Sequence, residues 1–387
     1  DLISGASDMY SPVSLAEDAP AGLCYTSATT GKPKGVIYSH RGIVLHSMME
    51  AQADTIGFRE RDVVLPVVPM FHANCWGVPY SSAMVGANLV LTGVRPDPEA
   101  ICLLFESEKV TLSLGVPTIW VGILDYLELS GNTHDFYSLR EIASGGSAVP
   151  ISLIESYREK LGVNMVQAYG MTEATPVISY NRRSSQLDDM TEGEKLQLAG
   201  TQGAMVPGLE MRLVDEDGND LPWDGKHLGE LLFKGPWIAD SYFNDSRSAE
   251  TFIDGWYHSG DIACVDPNGY IQIGDRVKDM VKSGGEWISS VDLETAIIAH
   301  PEVLEAAVIA IPHDRWGERP LACVVAKSDA YGKLAKDDIL DFIRDRFASW
   351  WMPDDVVFID EIPKTSVGKF DKKILRDRYH GHEPNAL

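Results

Sequence analysis

The run Tyr25-Thr26-Ser27-Ala28-Thr29-Thr30-Gly31-Lys32-Pro33-Lys34-Gly35 concentrates hydroxyls, lysines and glycines in a pattern suited to gripping a polyphosphate. Hydroxyls and free backbone N–H groups donate to phosphate oxygens, glycine lets the backbone come close, and lysine supplies charge without demanding a fixed geometry. A P-loop is excluded, because it needs Ser or Thr after Gly-Lys, whereas Gly31-Lys32 runs into Pro33 and Gly368-Lys369 into Phe370. A generic run of this composition is a surface linker. Here Leu23-Cys24-Tyr25 and Val36-Ile37-Tyr38 read as short strands that pin both ends.

Five further segments carry residue types able to do chemistry. Tyr169-Gly170-Met171-Thr172-Glu173 follows an apolar run; Thr172 can donate to a phosphate, and Glu173 offers the hard oxygen that Mg2+ prefers to share with phosphates. A helix N-cap with a first-turn acid is the bland reading of the same pair. Ser144-Gly145-Gly146-Ser147 ends a strand where glycines leave room for a flat base, and equally suits a plain turn. Trp256-Tyr257-His258-Ser259-Gly260-Asp261 ends in an Asp after Gly, a common turn usage. Gly274-Asp275-Arg276-Val277-Lys278-Asp279 is a charged strand end, and Pro363 to Lys373 is a lysine-rich run that would otherwise be a solvated basic tail.

The elements that must position these residues follow from periodicity. To about residue 200, apolar runs at 63–65, 89–91, 111–114 and 165–167 alternate with amphipathic stretches at 98–109, 117–127 and 150–161, each opened by proline. That alternation predicts a largely parallel sheet covered by helices. From about 205 to 275 strands joined by Asp217-Gly218 and Asn268-Gly269 turns predict a β-rich subdomain. Beyond 279, helices at 290–300 and 337–348 and strands at 308–311 and 322–325 predict a compact α+β unit. The expected organisation is an α/β fold: a large domain with a mostly parallel sheet (1–204) and a β-rich subdomain (205–277), followed by a small mobile α+β C-terminal domain (278–387).

At 387 residues the chain exceeds what one hydrophobic core supports. Its net charge of -24 argues against nucleic-acid or anionic-membrane binding, so cations for an anionic ligand must be gathered locally. Cys24, Cys75, Cys102, Cys264 and Cys323 are scattered and read as buried thiols of a cytoplasmic protein, with neither a zinc site nor a disulfide framework. No apolar stretch approaches the length of an integral membrane segment.

Taken in order, these motifs resemble those of the adenylate-forming superfamily: acyl-CoA synthetases, beetle luciferases and the adenylation domains of peptide synthetases. The resemblance implies an ATP-dependent acid–CoA ligase using ATP, Mg2+ and coenzyme A. It implies ATP or AMP contacts from Thr26, Ser27, Thr29, Thr30, Gly31, Lys34, Gly146, Ser147, Gln167, Ala168, Tyr169, Gly170, Thr172, Asp261 and Arg276, with Asp261 on the ribose hydroxyls. Glu173 would hold the metal, Lys278 would be the hinge, and Lys369 would be the catalytic lysine, acting with Thr172 and Glu173. Ala28 stands where family loops usually carry Gly, which removes no phosphate ligand.

Val281-Lys282-Ser283-Gly284-Gly285-Glu286-Trp287-Ile288-Ser289 looks most like fatty acyl-CoA ligases of medium-chain acids and of 3-(methylthio)propionate. The resemblance places coenzyme A at Ser283, Gly284, Gly285, Glu286 and Trp287. Pro69 to Gly77 resembles the segment whose tryptophan closes an acyl tunnel, so His72 and Trp76, with Gly146 and Trp237, are expected at the acyl pocket; a packed core aromatic remains the other reading of Trp237. The expected substrate is a short- to medium-chain fatty or methylthio-substituted acid, with a long-chain acid, a carrier-loading enzyme and a luciferase-like enzyme as alternatives, and binding of nucleotide without turnover as a further one. A homodimer is compatible with this class. The family's large domain carries more than a hundred further residues before the phosphate loop, so exposed core surface is expected where that stretch would join.

Overall fold

The computed structural model describes residues 5, 7, 9, 11–26, 32–93, 96–276, 279–284, 286–327, 330–364 and 370–382. Strands β1 (Pro20–Tyr25) and β2 (Gly35–Ser39) form a two-stranded antiparallel ribbon in which Tyr25 faces Gly35, so the two ends of the phosphate-binding run are neighbours. Apolar runs then supply β3 (Val63–Pro66), β4 (Asn88–Leu89), β5 (Leu112–Gly115), β6 (Glu141–Gly145) and β7 (Met165–Gly170), which pair in parallel in the order β4-β3-β5-β6-β7.

The intervening helices start where the sequence says they should. In Pro98–Ser107 the Asp97 carboxylate accepts from Ala100 N–H and proline occupies the first turn, where its missing N–H costs nothing. Pro117–Ser130 also opens on proline, though its N-cap Val116 gives no side-chain cap, and it buries Trp120 completely. Its indole N–H donates to Ser144 Oγ at 3.1 Å, and the Tyr157 hydroxyl donates to the Trp120 carbonyl at 2.8 Å, so the largest core side chain leaves no polar atom unsatisfied. The expected helix 150–161 is helical over Ile151–Ser156 and continues as a wider π-helical turn, Tyr157–Leu161. The strand expected at 89–91 covers only Asn88–Leu89, at the sheet's edge.

The β-rich segment does not form a separate sheet. Strands β8 (Val177–Tyr180), β9 (Gly203–Met205), β10 (Glu210–Val214), β11 (Gly229–Lys234), β12 (Phe252–Ile253), β13 (Trp256–Val265) and β14 (Tyr270–Arg276) continue the parallel half as antiparallel neighbours, giving twelve strands among the described residues. The junction is β7 against β8, where the chain reverses immediately after the Thr172-Glu173 motif. The turns at Gly218 and Gly269 adopt φ of 82° and 85°, the left-handed region open to glycine.

The C-terminal sheet comprises β15 (Val281–Ser283), β16 (Glu286–Ile288), β17 (Val303–His313), β18 (Gly317–Ala326) and β19 (Asp355–Phe358), ordered β16-β15-β18-β17 with β19 parallel to β18. Helices Ser290–Ile298 and Lys336–Ile343 pack their apolar residues on it. Arg319 on β18 is 8% exposed and donates to Asp354, Ser283 Oγ and the carbonyls of Trp350 and Met352. Replacing it strands several acceptors at once, so Arg319→Ala should lower stability by about 2 to 3 kcal/mol. The urea midpoint of the C-terminal unfolding transition checks this; Lys should recover only part, lacking the planar fork.

Candidate active site

The β1–β2 ribbon, β13 and the segment before β12 all contact the end of β7 and the turn that follows it. At the ribbon, Thr26 N–H donates to the Lys34 carbonyl at 2.9 Å and Thr26 Oγ1 accepts from Lys34 N–H at 3.1 Å, closing the neck of the phosphate-binding run. Ser27, Thr29, Thr30 and Gly31 lie outside the described residues. The Lys34 ammonium leaves the neck toward Glu173, and Tyr242 stands between the two.

The turn after β7 fixes the next group of predicted residues. A Cβ on Gly170 would lie 2.1 Å from the Pro176 carbonyl oxygen, so only glycine permits the chain to double back there. Thr172 and Glu173 are buried in the 3-10 turn that follows, and the Tyr38 hydroxyl donates to the Thr172 carbonyl at 2.8 Å. Tyr169, one residue before the turn, donates its hydroxyl to Asp261 Oδ2 at 2.6 Å, joining two predicted nucleotide motifs across the sheet. Asp261 on β13 pairs with Arg276 on β14. The Arg276 side chain and Lys278 lie outside the described residues.

Gly146 takes φ 82° at the end of β6, beside exposed Ser147. Gln167 is differently employed: its buried amide accepts from Val149 N–H and donates to the Gly200 carbonyl, so this side chain shapes the wall. Ala168 forms the opposing wall, its carbonyl oxygen 2.7 Å from where a Gly145 Cβ would stand. On the other side of Gly145 is Trp76, whose ring tip would be 3.3 Å from the same point.

Trp76 closes an unusual turn. Ala73, Asn74, Cys75 and Trp76 have φ of 44°, 50°, 58° and 56°, four successive non-glycine residues in the left-handed region. Each such residue costs roughly 1–2 kcal/mol, so the turn must be held by its surroundings. Cys75 N–H donates to the His72 carbonyl at 2.9 Å and Cys75 Sγ lies 3.1 Å from the Val68 carbonyl. Trp237 donates its indole N–H to the Val177 carbonyl and packs on Gly208 and edge-on to His46, in agreement with the core reading of that residue.

On the C-terminal sheet, Ser283 accepts from Arg319, Gly284 takes φ 63° against the Trp316 ring, and Trp287 lies under the Lys282 ammonium at 4.7 Å. Ser283 and Glu286 pair across the β15–β16 turn; Gly285 is outside the described residues. So is Lys369, but Lys364 and Phe370 on either side of its segment form an antiparallel bridge. The helix that follows, Lys372–Tyr379, is anchored by the Lys372 ammonium on Glu294 at 2.7 Å.

With this geometry in view, comparisons with known proteins are decisive. Residues 4–243 match the AMP-binding enzyme family, and residues 292–369 match the AMP-binding enzyme C-terminal domain. The chain belongs to the AMP-binding enzyme family. It is 48% identical over 378 residues to a long-chain-fatty-acid–CoA ligase of Thermus thermophilus, covering 97% of this chain and 69% of that protein. It is 44% identical to a medium-chain-fatty-acid–CoA ligase of Ectopseudomonas oleovorans (98% and 68%), and 45% identical to a 3-methylmercaptopropionyl-CoA ligase of Ruegeria lacuscaerulensis (97% and 69%). The ATP-bound crystal structure of MatB from Rhodopseudomonas palustris superposes with TM-score 0.84 at 27% identity, covering 97% of this chain and 71% of that one. The chain therefore lies in the acyl-CoA synthetase branch and is an AMP-forming acid–thiol ligase.

Among the described residues no cluster of three or more His, Cys, Asp or Glu side chains forms a metal cage, and no helix is long and apolar enough to cross a membrane. Mg2+ needs no such cage when phosphates supply most of its ligands, and a single carboxylate beside a hydroxyl, as at Glu173 and Thr172, fits that mode.

Sequence reasoning missed a buried polar pair behind Trp76. On helix His40–Glu50, His46 Nε2 accepts from Val177 N–H at 3.1 Å, which places its proton on Nδ1, 3.7 Å from Glu50 Oε2. Ser81 donates to the same carboxyl. Only glycine fits at position 77, at φ 78°, because a Cβ there would come within 2.9 Å of the imidazole. Burial pushes Glu50 up to about 8 and His46 down to about 3, so both are neutral near pH 7. The i, i+4 spacing of His and Glu was the available signal, but it reads equally as a surface pair.

The pair has a definite pH signature. Folded Glu50 keeps a proton that the unfolded chain releases above 4.5, so stability falls as pH rises from there to about 8. His46 acts oppositely between 6.5 and about 3, where the unfolded chain binds the extra proton. Glu50→Gln removes the first effect alone. Its stability relative to the parent should rise with pH by up to about 1.4 kcal/mol per unit between pH 5 and 8; a pH-independent difference in urea unfolding would refute the assignment.

Proposed function

We propose that the chain activates a short- to medium-chain fatty or methylthio-substituted carboxylic acid as its acyl-adenylate and transfers the acyl group to coenzyme A. One observation carries the nucleotide part of this reading: the 2.6 Å bond from Tyr169 to Asp261, which brings together, from 92 positions apart, the motifs read as base-and-phosphate and as ribose binding. In the first half-reaction a carboxylate oxygen attacks the α-phosphorus of ATP and pyrophosphate leaves. In the second the coenzyme A sulfur attacks the acyl carbonyl and AMP leaves.

For the first half, the chain's contribution is positioning and charge neutralisation. Lys34 and the hydroxyls of the phosphate-binding run hold the polyphosphate, and Asp261 holds the ribose. Glu173 and Thr172 would hold Mg2+, which when bound neutralises phosphate charge. Lys369 would stabilise charge developing at the α-phosphate, and Lys278 would be the pivot that exchanges it for the Ser283–Trp287 segment in the second half. Domain boundaries near 204 and 277 fit these roles. A cytoplasmic location fits five cysteines that are all free and buried.

Substrate length is the finer part of the proposal. The Trp76 indole, packed at the end of β6, favours a short acid, and relatives acting on medium-chain and methylmercaptopropionyl substrates agree with that. The Thermus relative favours the long-chain alternative. A panel of acids from C3 to C16 with 3-(methylthio)propionate, scored for AMP and acyl-CoA, should peak below C12. Lys369→Ala should lower acyl-adenylate formation by roughly 100-fold or more. Equal product from the variant would remove Lys369 from the chemistry, and a peak at C16 would establish the long-chain reading.

A further inference from the structure

Tyr242 belongs to none of the motifs above, yet it touches both charged partners of the phosphate site. The Lys34 ammonium donates to its oxygen at 2.8 Å, and its own O–H donates to Glu173 Oε1 at 2.6 Å. The residue is 3% exposed and fixed from every side. Its N–H donates to Ser248 Oγ at 2.9 Å, its ring meets Phe252 edge-on at 5.1 Å, and its backbone bridges to Val36 on β2. The following turn continues the grip. Phe243 N–H donates to the Gly35 carbonyl at 2.7 Å, and Arg247, paired with Asp245, donates to the Lys32 carbonyl at 3.1 Å. Residues 242–247 thus hold the C-terminal half of the phosphate-binding run.

We propose that Tyr242 is a positioning residue for metal-bound nucleotide, its hydroxyl acting as a neutral spacer that holds the Lys34 ammonium and the Glu173 carboxylate in register without letting them pair. The proposal rests on the ligase reading and deepens it. A lysine and a buried glutamate this close would otherwise collapse into a direct ion pair, and each would then have to be pulled away before a phosphate or a cation could take it. Interposed, the hydroxyl satisfies one lone pair of the carboxylate and one ammonium proton. The hydroxyl engages Glu173 at Oε1, and Oε2 is the oxygen that a metal would take. Ordering both groups in advance reduces what the ligand must organise on arrival.

The test is binding of α,β-methylene-ATP by calorimetry, with Mg2+ and without acid or coenzyme A, so that no turnover enters. Tyr242→Phe keeps the ring and its packing and deletes only the spacer. It should bind the Mg2+ complex roughly tenfold or more weakly than the parent, as expected for loss of charge-assisted hydrogen bonds. In a Glu173→Gln background the same change should cost much less, because the carboxylate it orients has gone. Binding by Tyr242→Phe equal to that of the parent, or a loss undiminished in the Glu173→Gln background, overturns the inference and leaves the ligase reading standing. A parent protein that fails to bind the analogue overturns both. A Tyr242→Phe protein with a lowered melting temperature but parental affinity identifies the tyrosine as structural and likewise overturns it.

Discussion

The reversal between β7 and β8 is the constraint on which the rest of the site depends. Because Gly170 must pass within contact distance of the Pro176 carbonyl, the chain between them has little choice of path. Tyr169 is thereby brought to Asp261, and Glu173 to Tyr242, which also accepts from Lys34. The same short segment is bonded from outside by Tyr38 at Thr172, by Ala239 N–H at the Glu173 carbonyl and by His46 at Val177. It also sits where the parallel half of the sheet becomes antiparallel, so strands from both halves can deliver residues to it.

Two buried glutamates show how surroundings divide one side-chain type between two uses. Glu50 has a hydroxyl and a neutral imidazole beside it, and burial keeps it protonated. It serves as a wedge behind Gly77. Glu173 is buried to a similar degree but is linked through Tyr242 to an ammonium. In a chain with a net charge of -24, one lysine is thus held within a hydroxyl's length of that carboxylate.

Much of this architecture was legible in the residues. Proline-opened helices at 98 and 117 and the strands that flank the phosphate-binding run begin where expected, because caps and fixed φ values are local properties. Tyr169 and Asp261, from two of the motifs read in the sequence, share a hydrogen bond. The long-range arrangement was less legible. The segment 205–277 read as a β-rich subdomain of the large domain, and that its strands extend the large sheet was not legible, since hairpin turns report only on neighbouring strands. Tyr242 and Arg319 went unnoticed for a related reason: each works through partners distant in sequence, and a lone tyrosine or arginine has no spacing to betray it.

The left-handed turn at Ala73–Trp76 brings these threads together. Four consecutive residues in a disfavoured region would relax in isolation, so their conformation is stored in the contacts that surround them. Those contacts are unequal. On one side Gly77 is wedged against His46 and Glu50, a fully buried pair with no room for even a methyl group. On the other, the Trp76 ring abuts Gly145 at the end of β6, where the absence of a side chain is what admits it. The turn is thus clamped at its base and merely seated at its tip. At both ends the turn meets positions where a side chain would crowd its neighbours, and that enclosure is what keeps four residues in a disfavoured region.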